Sequence, residues 1–241
     1  MKEAVMTDKH TVVSSEEWIA ARKQLLTREK DLTRLSDELS AERRKLPWER
    51  VDKRYVFQTE AGQKTLEELF GAKRQLVVYH LMFGPDWEQA CKSCSFWADN
   101  FNGIVSHLEQ RDISFVAISR APLSKLQAFA KRLGWSFRWV SSNETDFNFD
   151  YRVSFRPEEL AAGTAVYNYN PLKEREEEWP GISVFYKDES GAVFHTYSAF
   201  GRGIEAVNGA YQWLDLVPKG RDEDGLDFSM SWVKLHDEYA R

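Results

Sequence analysis

Cys91 and Cys94 are the only cysteines in 241 residues, and they stand in a Cys-x-x-Cys spacing. A dithiol at that spacing suits thiol–disulfide exchange. The thiolate of the first cysteine attacks a substrate disulfide and forms a mixed disulfide. The second, one helical turn on, reaches back, resolves the intermediate and leaves an intramolecular disulfide. Cys91, the N-terminal of the two, is the expected nucleophile and Cys94 the resolving residue. Two other uses compete. Half a zinc site would need two further Cys or His ligands, but no second cysteine pair exists and the five histidines show no paired spacing. No metal and no cofactor is therefore expected. Two inert, buried thiols are the remaining alternative, since a free Cys is often simply a small buried hydrophobe.

The neighbouring residues say what must position the pair. Gln75 to Phe83 (QLVVYHLMF) is a nearly unbroken apolar run with β-branched members, followed by Gly84-Pro85. Its length and flanks favour a buried strand over a helix. After the cysteines, Phe96, Trp97, Phe101, Ile104, Val105 and Leu108 recur at helical spacing, which predicts a helix to about Glu109. The cysteines then sit where a loop enters a helix. Unpaired amide groups and the helix dipole stabilise a thiolate there and bring the Cys91 pKa below the value of about 8.5 typical of a free thiol. Lys92 adds positive potential, while Asp86 and Glu88 oppose it. Strand, Cys-x-x-Cys, helix is the arrangement of a thioredoxin-like redox site.

Such a site places a cis-proline at the start of a later strand, facing the dithiol. Trp179-Pro180-Gly181 precedes the apolar run Ile182 to Tyr186 in the required order. Pro180 is expected to be cis, leaving the backbone of Trp179 free to pair with an extended substrate segment. An ordinary trans proline at a strand start is the alternative. Trp97, Trp179 and Arg120 are candidates for substrate binding. His80 reads as a core histidine within its strand. His195 and Arg202 could face a site or serve as plain structural partners.

The remaining chain supplies the frame. Residues 1–13 are expected to be frayed. Ser14 to Glu17 offers a capping box, and Ala21, Leu25, Leu32, Leu35, Leu39 and Leu46 form a narrow stripe interrupted by Arg28 and Glu42. This predicts helix over about 15–45, used either as a surface helix of the domain or as a homodimerisation arm. Val51 to Phe57 reads as a strand, Thr59 to Gln63 as a turn, Thr65 to Phe70 as a short capped helix, and Ile113 to Ser119 as a second buried strand. Pro122 and Ser124 open a helix to about Gly134. Alternating strands and helices imply parallel pairing. Trp135 to Val140 is read as a strand. Residues 135–178 otherwise lack a period and are read as an inserted loop region, with Glu174 to Glu178 a solvated acidic run. Ile182 to Tyr186, a turn at Asp188 to Gly191 and Ala192 to Tyr197 form a hairpin. Ile204 to Leu214 reads as a helix. In the tail, Trp232, Leu235 and Tyr239 stand at helix-compatible spacing.

Composition bounds the class. Hydrophobic residues make up 42%, with 9 Trp, 15 Phe and 9 Tyr, as in a folded protein. A formal net charge of −5 argues against nucleic acid as the main partner. No apolar run reaches the length of a membrane span, and the polar start, Met1 to Glu17, lacks the apolar core of a signal peptide. The cytoplasm is the expected compartment.

Specific stretches carry a family resemblance: Leu46-Pro47-Trp48, Arg74 to His80, Cys94 to Gly103 (CSFWADNFNG), Ile118 to Pro122 (ISRAP), Pro180 to Phe185 (PGISVF), Phe194 to Ser198 (FHTYS) and His236 to Tyr239 (HDEY). Through them the chain resembles the bacterial thioredoxin-like proteins grouped as "domain of unknown function 899", often labelled dithiol-disulfide oxidoreductases. The resemblance covers most of residues 45–241 and implies a thioredoxin-like fold. Peroxiredoxins share that general fold, with a Thr three residues before the reactive Cys in Pro-x-x-x-Thr-x-x-Cys. Here Glu88 precedes Cys91 by three, Cys91 precedes Cys94 by three, and Pro85 is displaced. The expected architecture is α/β: a helical extension (1–46), a thioredoxin-like central sheet flanked by helices (47–220) and a tail packing on it (221–241). The expected function is exchange with a protein or small-molecule thiol or disulfide. A thiol peroxidase and a non-catalytic binding module, with the aromatic-rich segment 135–170 as its contact surface, are the alternatives.

Overall fold

A computed structural model describes residues 5–7 and 10–240. They fall into two compact units, 1–47 and 48–241. In the first, Val5–Thr7 (β1) pairs antiparallel with His10–Val12 (β2), so this part of the segment expected to fray is a small hairpin. The rest of that expectation, at residues 1–4, 8 and 9, lies outside the described residues. Ser15–Arg43 is a single helix (α1). Its start is fixed as the sequence indicates: the Ser14 hydroxyl accepts from the Glu17 amide, and the Glu17 carboxylate accepts from the Ser14 amide at 2.9 Å. No residue of α1 is buried, and Leu25, Leu32, Leu35 and Leu39 are exposed.

The second unit runs, in chain order, through β3 (Glu49–Arg50), β4 (Val56–Thr59), β5 (Gly62–Thr65), α2 (Leu66–Leu69), β6 (Gln75–His80), α3 (Lys92–Ala98), α4 (Val105–Glu109) and β7 (Ile113–Ser119). It continues through α5 (Leu123–Arg132), β8 (Trp139–Ser141), α6 (Phe147–Asp150), α7 (Pro157–Ala162), β9 (Val166–Tyr167), β10 (Asn170–Pro171), β11 (Gly181–Lys187), β12 (Val193–Phe200), a 3-10 segment Gly201–Val207 and α8 (Gly209–Leu214). One sheet holds eight strands in the order β3-β12-β11-β6-β7-β8-β4-β5. β6, β7 and β8 are parallel, while β11 runs antiparallel to β6 and β12 antiparallel to β11. A central strand leading through the dithiol to a helix, a parallel neighbour and an antiparallel hairpin on the other side make this a thioredoxin-like fold.

The pleat of the central strands divides the core. Tyr79 and Leu81, with Phe115 and Ala117, face one layer, where α3 and α5 pack through Trp97, Leu126 and Phe129. Leu76 and Val78, with Val116 and Ile118, face the other, closed by Leu66, Leu69 and Phe147. Burial on both faces explains why β6 reads as a continuous apolar run.

Several expected elements are shorter or broken, each for a local reason. The turn expected at Thr59 to Gln63 is narrower, and Gly62 to Thr65 already forms the return strand of a hairpin. The dithiol helix stops at Ala98. The Asn100 amide donates back to the carbonyls of Phe96 and Trp97 at 3.0 and 3.2 Å, and Asp99 and Asn102 are spent on the 134–136 segment. The helix read over Ile204 to Leu214 is divided by the buried Asn208, whose side chain caps α8 through the Tyr211 amide. In the segment 135–170, expected as a contact surface, most aromatics are core: Trp135, Phe137 and Trp139 alternate onto the α5 side, and Phe147, Phe155 and Tyr167 are also buried, while Phe149 and Tyr151 are half-buried and Tyr169 is exposed. In the tail Val233 and Leu235 are buried, and helix is confined to the 3-10 turn His236–Glu238.

Candidate functional site

β6 ends at His80, and the chain then loops to α3 with Cys91 at its N-cap position. The Cys91 amide donates to the Met82 carbonyl at 3.0 Å, tying the loop back to the strand end. Below the helix start, the Tyr79 hydroxyl donates to the Cys94 carbonyl at 3.2 Å. Cys91 is partly exposed and Cys94 buried. This is the expected order of accessibility for nucleophile and resolver.

The two sulfurs are hydrogen-bond partners, with the Cys94 thiol donating to the Cys91 thiolate. That bond is the largest cause of a Cys91 pKa lowered to about 6. Burial opposes the shift, while the amides of Cys94 and Ser93 and the Ser93 hydroxyl add to it. The same bond, with burial, pushes Cys94 well above the ordinary thiol value. One cysteine is thereby held as thiolate while its partner keeps its proton. Lys92, expected to help, is turned away: its ammonium donates to the Ser231 carbonyl at 3.3 Å.

Cys91 and Cys94 open onto a cavity of ≈ 320 Å³ that Trp97, Trp179 and Pro180 also line. Five of the residues marked in the sequence as site candidates, Cys91, Cys94, Trp97, Trp179 and Pro180, therefore meet at one cavity. Nothing local in the chain marks Tyr167, Ile204 and Met230, which also line it; their positions depend on long-range packing. Tyr79 and Met82, in or just after the central strand, were legible only as core.

Two expectations fail. The described residues contain no cis peptide bond, so Pro180 is trans. It does stand beside the dithiol, but its neighbour's backbone is engaged: the Trp179 amide donates to the Val153 carbonyl at 2.9 Å, and the Pro180 carbonyl accepts from the Tyr167 hydroxyl at 2.7 Å. Packing is tight here, for a Cβ on Gly181 would lie 2.9 Å from the Phe200 ring and 3.0 Å from Val153 Cγ1. Secondly, the acidic run does not end in solvent. Glu178 is buried, pairs with Arg120 at 2.6 Å and accepts from the Ser154 hydroxyl at 2.8 Å. Arg120 is therefore consumed by an ion pair and also lies over the Phe149 ring, 4.4 Å from its centroid. It approaches the cavity only through Glu178.

The histidines lie elsewhere. His80 is buried and hydrogen-bonded through Nε2 to Ser183 Oγ at 2.9 Å, and burial lowers its pKa to about 3, which keeps it neutral. Ser183 continues to Ser198 at 2.9 Å and Ser198 to His195 Nε2 at 2.8 Å. A bulge makes that last contact possible. Thr196 is the extra residue opposite the Val184/Phe185 step, which brings His195 and Ser198 onto one face. Arg202, by contrast, is in the lining of the dithiol cavity and pairs with Glu205 at 2.8 Å. Among the described residues no group of three or more His, Cys, Asp or Glu could hold a metal ion, and no helix is long and apolar enough to cross a membrane.

No curated protein matches the sequence. Solved structures similar to the chain include Xanthomonas campestris peroxiredoxin Q, at 12% identity over 65% of this chain and 86% of that one, with a TM-score of 0.46. Peroxidoxin BcpB from Mycobacterium tuberculosis gives 14% identity, 66% and 89% coverage and a TM-score of 0.46. The mitochondrial 2-Cys peroxiredoxin from Plasmodium falciparum gives 14%, 75% and 98%, and 0.42. Over residues 7–239 the sequence matches the family described as "Bacterial protein of unknown function (DUF899)", and the chain belongs to that family.

Proposed function

We propose that the protein is a dithiol–disulfide oxidoreductase, with Cys91 as the attacking thiolate and Cys94 as the resolving thiol, acting on a thiol or disulfide substrate. The observation that carries the reading is the asymmetry of the pair. A partly exposed thiolate, lowered to about 6, accepts a hydrogen bond from a buried thiol held protonated. Exchange needs this arrangement: a nucleophile ionised at neutral pH, and a second sulfur within bonding reach that does not compete for the substrate. Because Pro180 is trans, the reading rests on the dithiol and its cavity and draws no support from a cis-proline.

Equilibration of the purified protein in glutathione redox buffers tests it, with free thiols counted after alkylation. A reversible two-electron transition between dithiol and intramolecular disulfide is the expected result. No transition across the accessible range overturns the reading in favour of a binding module. Oxidation by low peroxide much faster than by disulfide would make the protein a thiol peroxidase instead.

A further inference from the structure

We propose that the substrate is a low-molecular-weight disulfide bearing an uncharged, apolar group, seated in the cavity beside Cys91. This rests on the dithiol reading above and narrows it.

Three features of the cavity point the same way. Its walls present carbon. The rings of Trp97, Trp179 and Tyr167 and the side chains of Met82, Ile204 and Met230 line it, and the polar atoms of the rings are turned to internal partners. Trp97 Nε1 donates to the Ile204 carbonyl at 2.9 Å, Trp179 Nε1 to the Glu176 carbonyl at 3.0 Å, and the Tyr167 hydroxyl to Pro180. At ≈ 320 Å³ the space lies at the small end of ligand sites, and the two methionines let it adapt to varied apolar shapes.

Charge is the second feature. Of the cations around the site, two are held elsewhere, Lys92 at the Ser231 carbonyl and Arg120 in its buried pair with Glu178; Arg202 lines the cavity and pairs with Glu205, its side chain 86% exposed. The cavity already holds the Cys91 thiolate, with Glu176 and Glu178 in its lining. An anionic disulfide such as that of glutathione would enter beside the Cys91 thiolate and Glu176, with only the solvent-exposed Arg202, already paired with Glu205, as counter-ion, so its desolvation cost is poorly offset.

The third feature is the backbone. An extended polypeptide substrate gains affinity by pairing with free strand groups. Next to the dithiol the amides of this segment are taken by the chain itself. The Trp179 amide goes to Val153, the Phe155 amide to Glu177 at 2.9 Å, and Ser154 bridges Glu178 antiparallel. Pro180 has no N–H to offer. Recognition falls to the side-chain walls.

The reaction balances with the dithiol as reductant. The Cys91 thiolate attacks one sulfur of R–S–S–R, forming Cys91–S–S–R and expelling RS⁻, which takes the Cys94 proton. The Cys94 thiolate then attacks Cys91 Sγ, closing the protein disulfide and releasing a second RS⁻, protonated from water. Two electrons pass from the dithiol to the substrate, and an external dithiol reductant restores the pair.

The test traps the first step in the full-length Cys94→Ser variant. Mixed-disulfide formation is followed by mass spectrometry with bis(2-phenylethyl) disulfide, 2-hydroxyethyl disulfide, glutathione disulfide and insulin, each rate divided by that of a free alkyl thiol with the same reagent. The phenylethyl compound is expected to react at least roughly tenfold faster than the hydroxyethyl one, from ring burial, and glutathione disulfide and insulin slowest. Met230→Ser, folded by its melting curve, should cut that preference several-fold. Equal normalised rates, or faster reaction with glutathione disulfide or insulin, overturn the substrate class and leave the dithiol reading standing. No mixed disulfide with any of the four overturns both.

Discussion

Replacing Cys94 by alanine should raise the pKa of Cys91. The thiolate is lowered from the ordinary value of 9.0 to about 6, and its first cause is the hydrogen bond from the Cys94 thiol. A hydrogen bond to an ionised group contributes about 1.5–3 kcal/mol, and one pKa unit corresponds to about 1.4 kcal/mol. Removing the donor should therefore move the Cys91 midpoint up by roughly 1–2 units, to about 7–8. The amides of Ser93 and Cys94 survive the substitution and hold the midpoint below that of a free thiol. At pH 7 the thiolate fraction falls from about nine-tenths to between about a half and a tenth. The assay is the pH dependence of iodoacetamide alkylation at Cys91, with thiolate absorbance near 240 nm as a second readout. Cys94→Ser, which keeps an O–H donor, should sit close to the parent protein. Lys92→Ala should leave the midpoint in place, since that ammonium is held at Ser231. A Cys94→Ala midpoint within a few tenths of the parent value would refute the assignment and leave the helix-start amides as the cause. A parent midpoint near 9 would refute the depressed thiolate altogether.

Other outcomes follow from the same geometry. In the reduced protein, the unfolded thiol of Cys91 holds its proton up to about pH 9 while the folded one has lost it by about 6. The unfolded state therefore binds more protons between those values, and stability rises with pH across that window, by at most about 4 kcal/mol; Tm-versus-pH curves for the parent and Cys91→Ala should diverge there, and parallel curves would contradict the shift. Glu178→Ala strands the guanidinium of Arg120 against Phe149 and should cost about 3 kcal/mol, read as a fall in Tm of about 6–12 °C; a change under a degree or two would show the pair to be dispensable. Gly181→Ala pushes a methyl into Phe200 and Val153 and should destabilise by about 1–3 kcal/mol, which a urea melt would reveal or deny. Ser183→Ala leaves His80 Nε2 without its partner, in addition to Nδ1, which is already buried and unpaired; a loss of about 1–3 kcal/mol is expected by the same melt.

The central layer was legible because its signals are local. An apolar run buried on both faces, a glycine-proline loop and a helical period fix β6 and α3 whatever lies around them, and β11 and β12 announce themselves through the Asp188 to Gly191 turn. The capping box read at Ser14 fixed one helix start, and the short capped helix read from Thr65 does start there, with Thr65 as its N-cap. What escaped was set by partners distant in sequence. Nothing local stops a helix at Ala98; the stop comes from Asn100 folding back and from Asp99 reaching the Trp135 indole. The strand pattern of Trp135, Phe137 and Trp139 was visible, but their shared burial against Phe101, Phe115 and Phe129 turns an apparent contact surface into core.

At the site, the dithiol was legible and its surroundings were not. Trp97 and Trp179 do line the cavity, and Pro180 stands beside the cysteines, because the chain order of a thioredoxin-like sheet brings β11 next to β6. The conformation of Pro180 and the free backbone inferred from it did not follow. The reason lies in the inserted region, which read as loop. Val153 to Phe155 returns alongside Glu177 to Trp179 and takes the amide that an extended substrate would have used. The buried Glu178 is part of the same clamp: its carboxylate joins Ser154 on one side and Arg120 on the other. A charged run in sequence thus became the fastening of the segment that walls the cavity. The insertion takes the Trp179 amide beside the dithiol and leaves an apolar side-chain cavity, so the walls beside Cys91 are built by residues whose spacing in the chain carries no sign of it.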